Sequence, residues 1–275
     1  MKQQFLIFTD LDGTLLDHHT YRFDAAQPML ETLEKLAIPV IPITSKTRAE
    51  LLALRVALNN QHPFVTENGA AVFIPKGYFS TQPEETENVG DFWVRSFSPV
   101  RLFWVQLLES LSHSFRGDFT YFSKMGEASI VQHTGLSPDA AALANDREFS
   151  EPVLWTGTEA KKTEFKAMLA EHGMWVIEGG RFLHISNGSD KGKALTWLTQ
   201  TYQQQWPARA LTTVALGDSH NDLAMLEACD QPIIIQSPTK HRPRLTSNSS
   251  VINSRLPGPE GWSESLERYL KVGMT

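Results

Sequence analysis

Short apolar runs alternate with amphipathic stretches over the first seventy residues of the chain. The apolar runs predict strands, and the stretches whose apolar residues recur at helical spacing predict helices. In chain order these elements are a strand at 5–8, a helix at 25–37, a strand at 38–43, a helix at 48–58 and a strand at 64–66. Pro39 and Pro42 make a central position unfavourable for the second strand, because proline cannot donate to a strand ladder. This βαβαβ order is typical of a parallel sheet covered by helices.

The alternation stops in the middle of the chain and resumes near residue 191. Residues 75–90 are rich in Pro, Gly, Thr and Glu, which predicts a connector. Residues 91–185 hold short alternating or amphipathic pieces and four of the seven tryptophans, which predicts an α+β insert with its own core. Beyond it the pattern predicts a helix at 194–202, a strand at 212–216, a helix at 221–228, a strand at 233–235 and a helix at 262–271. We therefore expect an α/β protein with a Rossmann-like parallel sheet core, residues 1–84 and 186–275, and an inserted α+β domain, residues 85–185.

Composition narrows the possible partners and surroundings. With 275 residues, of which 41% are hydrophobic and 20% charged, the chain can bury a sizeable core and is not a disordered protein. The net charge is −6 and the basic residues are scattered, so we expect no nucleic-acid partner. Cys229 is the only cysteine, which excludes an intramolecular disulfide and a cysteine-based zinc cluster. The first apolar run is too short for a signal peptide or a membrane span, so we expect a cytoplasmic chain with no membrane partner. The oligomeric state is left open.

Two acids follow the first predicted strand directly. Asp10 and Asp12 lie one residue apart, before the turn residue Gly13, at the carboxyl end of a strand where ligands of open α/β sheets bind. One carboxylate could attack phosphorus, and the other could protonate the leaving oxygen and later take a proton from water. A hard divalent cation would also need such carboxylates. The alternative is an ordinary turn, since Asp and Gly favour turns.

A second acidic group follows another β-like run. Asp218 comes after the predicted strand at 212–216 and could supply a further metal carboxylate. Asn221 and Asp222, at the start of the next helix, could orient metal-bound water or a nearby lysine. Capping of that helix is the alternative for Asp222.

A hydroxyl group and a lysine complete the candidate chemistry. Thr44, Ser45 and Lys46 lie between a predicted strand and a helix, where a hydroxyl and backbone N–H groups bind phosphate oxygens well. The alternative there is an ordinary helix N-cap. Lys191, at the start of the helix after the insert, could offset the charge of phosphate and aspartates. The alternative is that Lys191 and Lys193, two residues later, are both solvated surface lysines.

Together these groups resemble, in order and at strand ends, the four motifs of the haloacid dehalogenase-like phosphohydrolases. The resemblance implies that Asp10 is the nucleophile and Asp12 the general acid and base, and that Thr44 and Lys191 stabilise the phosphate and the intermediate. It implies Mg²⁺ held by Asp10, the backbone carbonyl of Asp12 and Asp218, although Mn²⁺ suits the same oxygen ligands. The residues implied around the phosphate and the metal ligands are Ser45, Asn221 and Asp222. The insert looks like a C2-type cap domain, which covers the active end of the sheet and selects the substrate.

Finer stretches are similar to one branch, the mannosyl-3-phosphoglycerate phosphatase family. They are Ser45–Thr47, Thr66–Ala70, Thr134–Leu136, Arg147–Pro152, Gly179–His184 and Gly258–Trp262. This similarity implies hydrolysis of mannosyl-3-phosphoglycerate, a small sugar-linked phosphate, to the compatible solute mannosylglycerate. The alternatives are a phosphatase of glucosyl-3-phosphoglycerate, sucrose phosphate or another sugar phosphate, a phosphomutase, and a non-catalytic regulator that retains the fold.

Candidates for contact with the rest of the substrate follow from the same stretches. A glycerate carboxylate calls for a planar donor such as Arg181, with His184 nearby in sequence, and the alternatives are a surface arginine and a structural histidine. Glu67 and Asn68 could touch the leaving group, or form a hairpin turn with Gly69. Lys46 is a further candidate. Arg147 and Glu151, which are four residues apart, would form an ordinary ion pair on a helix.

Overall fold

A computed structural model gives the structure of residues 2–179, 181–239, 241–246 and 250–273. The helices are α1 (Gln27–Lys35), α2 (Arg48–Ala57), α3 (Arg101–Leu111), α4 (Phe122–Thr134), α5 (Pro138–Asn145), α6 (Glu159–Glu171), α7 (Lys191–Gln205), α8 (Leu223–Ala228) and α9 (Gly258–Gly273). The strands are β1 (Lys2–Thr9), β2 (Val40–Pro42), β3 (Phe64–Thr66), β4 (Ala71–Pro75), β5 (Glu87–Val89), β6 (Phe92–Ser96), β7 (Phe119–Tyr121), β8 (Val153–Trp155), β9 (Trp175–Gly179), β10 (Phe182–Ser186), β11 (Arg209–Gly217), β12 (Gln231–Gln236) and β13 (Ile252–Pro257). Gly180, within one of the branch-specific stretches, lies outside the described residues.

Five of these strands form a parallel sheet in the order β13-β12-β11-β1-β2. The strands β1 and β11 are central neighbours, and Thr9 of β1 is in register with Leu216 of β11. The side chains of Leu6, Ile7 and Phe8 are fully buried, which is why β1 reads as an unbroken apolar run. The predicted parallel sheet is therefore confirmed, and the carboxyl ends of β1 and β11 lie side by side.

The second predicted strand is shorter than the sequence indicated. Only residues 40–42 of the predicted 38–43 form β2, which is the edge strand beside β1 in the parallel sheet. Proline is tolerated there because a strand at the end of a sheet does not need every N–H for pairing.

The strand predicted at 64–66 forms, but it does not continue the parallel sheet. β3 pairs antiparallel with β4, in a second sheet of order β3-β4-β6-β5, and an isolated parallel bridge between Ile43 and Val65 connects it to the end of β2. The predicted hairpin turn is confirmed, with positive φ at Glu67, Asn68 and Gly69. A Cβ at Gly69 would lie 2.2 Å from the carbonyl oxygen of Asp190. Glycine is therefore required where the hairpin packs against the start of α7.

The chain separates into two compact units. The first comprises residues 1–44, 58–95 and 190–275, and the second comprises residues 45–57 and 96–189. The predicted boundaries, 84/85 and 185/186, differ from these divisions because β5 and β6 join the sheet of β4, and because 45–57 groups with the second unit. Among the described residues, no helix combines the length and the apolar character that crossing a membrane requires.

The second unit has its own antiparallel sheet, of order β7-β8-β10-β9, and its own core. Trp104, Leu108 and Phe165 lie in this core together with residues from β8 and β10. The unit is an α+β structure, as predicted for the insert.

The stretch 147–152 is not helical, so the predicted helical ion pair between Arg147 and Glu151 is wrong. Buried Glu151 instead accepts hydrogen bonds from the Arg101 guanidinium and from the backbone N–H of Ser123, at 2.7 Å for the latter. Arg147 donates to the Ser150 hydroxyl at 2.8 Å and to the Ser45 carbonyl at 3.1 Å. This branch-specific stretch therefore joins separate elements within the second unit.

Candidate active site

Two aspartates lie at the carboxyl edge of the parallel sheet. Asp10 follows β1, and its backbone N–H donates to the carbonyl of Leu216 in β11 at 2.9 Å. Asp218 follows β11 and is completely buried, while Asp10 is 6% exposed. The parallel register of β1 and β11 thus brings together two acids that are 208 positions apart in the sequence.

A buried lysine lies between acidic groups at this edge. Lys191 is the first residue of α7, whose N-cap residue, Asp190, accepts a hydrogen bond from the N–H of Lys193 at 2.8 Å. The Lys191 ammonium group donates to Asp10 Oδ1 at 2.6 Å and to Asp222 Oδ1 at 2.7 Å. Its side chain has no solvent exposure, so the alternative of a solvated surface lysine is wrong.

Asp222 combines the two roles that the sequence left open. Its Oδ1 accepts from Lys191, and its Oδ2 accepts from the backbone N–H groups of Asp218 and Ser219, each at 3.0 Å. It also completes a capping box with Ser219. A Cβ at Gly217 would lie 2.5 Å from the Asp222 Cβ, so glycine allows this close turn. Asp222 therefore orients Lys191 and fixes the loop that carries Asp218.

The carboxylates of Asp10, Asp218 and Asp222 can supply ligands to a divalent cation. One oxygen of each lies within 4.8 Å of the others, and all three residues are buried. Because the Asp222 oxygens already accept from Lys191 and from two amides, Asp10 and Asp218 are the better metal ligands. Oxygen donors of this kind suit Mg²⁺, which binds through one or two carboxylates and keeps several waters. The ligand set predicted from the sequence, with the Asp12 carbonyl, stays a prediction.

The electrostatics of Asp10 are those of a crowded acidic site. Burial, followed by the charge of Asp222, raises the pKa of Asp10 to about 7, against the opposing effect of Lys191. Burial would lower the pKa of Lys191, but the charges of Asp10 and Asp222 raise it above its ordinary value. Lys191 is therefore held protonated. A further cation bound beside Asp10 would stabilise the charged form of its carboxylate.

Thr44, a predicted phosphate-binding residue, is buried two residues after the end of β2. Its N–H donates to the Val65 carbonyl at 3.1 Å, and its carbonyl accepts from the Asn68 N–H at 2.8 Å. The N-cap of α2 is Thr47, whose hydroxyl accepts from the N–H of Glu50 at 3.1 Å. The helix-capping alternative for Thr44 and Ser45 is therefore wrong.

The hairpin turn after β3 meets the loop that follows β11. The side-chain amide of Asn221 donates to Asn68 Oδ1 at 3.2 Å, so these two predicted site residues are in contact. Glu67 is 4% exposed. The turn and the Asp218 loop therefore support each other within the first unit. Asp12, after Leu11, is only half-buried and forms an isolated bridge with Leu16.

The other substrate candidates belong to the second unit, as do Ser45 and Lys46. The Arg181 guanidinium donates to the carbonyl of His133 near the end of α4. His184 is half-buried in β10, and burial, together with the nearby charge of Arg147, lowers its pKa to about 4. His184 is therefore neutral at pH 7. Substrate binding by these residues stays a prediction.

Sequence reasoning missed one contact at the site. The indole N–H of Trp262 donates to the hydroxyl of Thr9, the residue before Asp10, at 3.0 Å. One signal in the sequence could have indicated this contact, because Trp262 belongs to a branch-specific stretch. Its position on the apolar face of the tail helix, however, indicated only a core residue.

Gly13→Ala is expected to weaken Mg²⁺ binding by about tenfold or more, because substitutions beside metal ligands commonly lower metal affinity by that much. Gly13 has φ +85°, and a Cβ there would lie 2.8 Å from Asp218 Oδ2, so an alanine displaces that carboxylate. The measurement is a calorimetric Mg²⁺ titration. Gly77→Ala is the matched control, since Gly77 has φ +84° with no atom within 4 Å of the added Cβ. Equal affinities for Gly13→Ala and Gly77→Ala would contradict the placement of the metal beside Asp218.

The chain is similar to known proteins over most of its length. The sequence profile of the haloacid dehalogenase-like hydrolase family matches residues 7–242. A glucosyl-3-phosphoglycerate/mannosyl-3-phosphoglycerate phosphatase of Methanococcoides burtonii is 38% identical over 262 residues, which cover 95% of each chain. A protein of the same name from Persephonella marina is 36% identical over 269 residues, covering 96% of this chain and 97% of the relative.

A solved structure shows the same fold. A protein from Thermoplasma acidophilum superposes with a TM-score of 0.66 over 98% of this chain and 99% of its own. At 17% identity, this likeness concerns the fold alone.

Proposed function

This chain belongs to the haloacid dehalogenase-like hydrolases, and within that family we propose that it is a magnesium-dependent phosphatase acting on hexosyl-3-phosphoglycerates through an aspartyl-phosphate. Mannosyl-3-phosphoglycerate is the leading substrate, and its products are mannosylglycerate and phosphate. Glucosyl-3-phosphoglycerate is the first alternative, since the names of both relatives include it. The protein is a phosphoric monoester hydrolase in either case.

The observation that carries the proposal is the buried pairing of Lys191 with Asp10 and Asp222 beside Asp218. Lys191 holds Oδ1 of Asp10, which leaves Oδ2 as the oxygen to attack phosphorus. A role in simple binding would not need a carboxylate held in this way by a buried ammonium group. The arrangement instead suits a nucleophile that must gain and then lose a phosphoryl group.

The first step forms a bond between Asp10 Oδ2 and phosphorus and breaks the bond between phosphorus and the glycerate oxygen. Asp12 gives a proton to that oxygen as the ester leaves. In the second step Asp12 takes a proton from water, whose oxygen attacks phosphorus. The bond between phosphorus and Asp10 Oδ2 breaks, which releases phosphate and regenerates Asp10. Lys191 offsets the negative charge on Asp10 and on the transferring group, and Thr44 binds a phosphate oxygen. A bound Mg²⁺ would supply further charge stabilisation from Asp10 and Asp218.

Selection of the ester requires groups other than those that bind the phosphoryl group. We assign this selection to the inserted domain predicted at 85–185, with Arg181 and His184 as candidates for the glycerate carboxylate. A neutral His184 can donate one hydrogen bond and accept another, while a guanidinium can bind a carboxylate bidentately. We also place the reaction in the cytoplasm, where a single buried cysteine, Cys229, stays reduced.

The test is a phosphate-release assay of the purified chain with mannosyl- and glucosyl-3-phosphoglycerate, sucrose phosphate and simple hexose phosphates, with Mg²⁺ and with EDTA. We expect the two hexosyl-3-phosphoglycerates to exceed the hexose phosphates in kcat/KM by about a hundredfold or more, and EDTA to abolish release. A preference for hexose phosphates by orders of magnitude would refute the proposed substrate. Interconversion of phosphate isomers without free phosphate would indicate a phosphomutase.

A further inference from the structure

A chain of hydrogen bonds runs from the tail helix to the backbone of Asp10. The indole N–H of Trp262, in α9, donates to the Thr9 hydroxyl at 3.0 Å, and that hydroxyl donates to the Asp10 carbonyl at 2.7 Å. Trp262 and Thr9 have no solvent exposure. The chain therefore lies in the interior, where hydrogen bonds are strong and unmet polar groups are costly.

The chemistry of these groups fixes the direction of the chain. An indole nitrogen can only donate, so the Thr9 oxygen is the acceptor from Trp262. The single hydroxyl proton of Thr9 is then free to point at the Asp10 carbonyl. Each bond polarises the next, which strengthens the donation to Asp10.

The start of α9 is built to bring Trp262 to this position. A Cβ at Gly261 would lie 1.9 Å from the carbonyl oxygen of Leu256 in β13, so glycine permits the close approach of the helix to the strand. The Glu264 carboxylate accepts from the N–H groups of Arg255 and Leu256, at 2.5 Å and 3.2 Å. Trp262 thus lies near the start of a helix that is held against β13, an edge strand of the parallel sheet.

Both peptide groups of Asp10 are therefore held by buried partners. Its N–H donates to Leu216 at 2.9 Å, and its carbonyl accepts from Thr9 at 2.7 Å. These two bonds set the backbone from which the side chain reaches Lys191, at 2.6 Å. A nucleophile must be held to a fraction of an ångström, since a displacement of about 1 Å can cost about a hundredfold in rate.

We propose that Thr9 and Trp262 are positioning residues that orient the Asp10 carboxylate through its backbone carbonyl. This inference rests on the proposed function, because it takes Asp10 as the nucleophile. It gives the branch-specific stretch at the start of α9 a role in the reaction through Thr9, the neighbour of Asp10.

The test compares Thr9→Val, Thr9→Ser, Trp262→Phe and the double variant Thr9→Val/Trp262→Phe in the full chain. With mannosyl-3-phosphoglycerate, Thr9→Val and Trp262→Phe are expected to lower kcat by about tenfold or more with little change in KM, whereas Thr9→Ser retains kcat because it keeps the hydroxyl. The double variant is expected to lose no more than Thr9→Val alone, since the two residues act in one chain. Tyr202→Phe is the control for a buried aromatic change, as its hydroxyl bonds Tyr78 at 2.8 Å and it is expected to lower the melting temperature without lowering kcat.

A second readout does not depend on the substrate. Binding of beryllium trifluoride with Mg²⁺, followed by ¹⁹F NMR, reports the geometry of Asp10 because the adduct mimics an aspartyl-phosphate. Thr9→Val is expected to weaken this binding about tenfold, and Thr9→Ser is expected to leave it unchanged. The wild-type chain could bind beryllium trifluoride and yet release no phosphate from hexosyl-3-phosphoglycerates. That result would refute the proposed substrate, while beryllium trifluoride binding by the variants would still test the inference. The inference is overturned if Thr9→Val and Thr9→Ser behave equally in both measurements. It is also overturned if kcat falls in step with the melting temperature in all variants, Tyr202→Phe included.

Discussion

Asp10→Asn is expected to abolish phosphate release, with a loss in kcat of about 10⁴-fold or more, without destabilising the protein. The amide is nearly the same size as the carboxylate but is a poor nucleophile, so the covalent step cannot proceed. Burial and the charge of Asp222 raise the pKa of Asp10 to about 7, which means that the folded state disfavours its charge. Asparagine removes that cost, and Lys191 keeps Asp222 as its partner. The measurements are steady-state kinetics with mannosyl-3-phosphoglycerate and the melting temperature in EDTA.

Asp24→Asn is the matched control for Asp10→Asn. Asp24 is exposed and pairs with exposed Arg22 at 2.8 Å, a contact that contributes little to stability. We expect wild-type kinetics and a nearly unchanged melting temperature for this variant. Full activity in Asp10→Asn would refute its assignment as nucleophile, and equal losses in both variants would point to a general effect of removing negative charge.

The parallel sheet and its acidic edge could be predicted because their signals are local. A strand buried on both faces, such as β1, reads as an apolar run, and an acid directly after it must lie at the carboxyl edge. The same argument applies to Asp218 after β11. Parallel strands share that edge, so the meeting of Asp10 and Asp218 follows once both strands belong to one sheet.

The second sheet could not be predicted in this way. The strands β3, β5 and β6 are three to five residues long, and their pairing depends on contacts between separate parts of the chain. Periodicity indicated that β3 exists but did not indicate which strand it pairs with. For the same reason, the sequence pattern assigned residues 87–96 to the insert although they pair beside β4.

Burial of single polar side chains was also beyond the sequence pattern. Lys191 and Lys193 lie two residues apart near the start of α7, yet Lys191 is 1% exposed while Lys193 is exposed. The packing of α7 against the sheet decides which lysine turns inward. The contact between Thr9 and Trp262 likewise joins residues 253 positions apart. A chemical motif can therefore predict that a lysine takes part, but the partners that fix its position come from tertiary structure.

Lys191→Met is expected to lower both activity and stability strongly. The variant keeps a long side chain but leaves the buried carboxylates of Asp10 and Asp222 without their ammonium partner, and breaking a buried ion pair costs about 3–5 kcal/mol. Lys193→Met is the matched control, because Lys193 is exposed on the same turn of α7. Chemical denaturation in EDTA measures the free energy of unfolding. A loss no larger than that of Lys193→Met would contradict the buried ion-pair arrangement.

The pH dependence of Lys191→Met gives a second, independent check on the same arrangement. Lys191 opposes the rise in the pKa of Asp10, so its removal moves that pKa above about 7, further from the unfolded value of 3.8. The folded state then binds a proton more tightly than the unfolded chain, so the stability of the variant increases as the pH falls below the folded pKa. Wild-type Asp10 has a folded pKa of about 7, so the two proteins differ in proton binding only between pH 7 and the higher pKa of the variant. The deficit relative to wild type is therefore expected to be greatest above the pKa of the variant, to shrink as the pH falls to about 7, and to stay constant below it. Adding Asp10→Asn to Lys191→Met should recover stability above pH 7 and flatten this dependence while leaving the chain inactive, because it removes the buried charge and the nucleophile together.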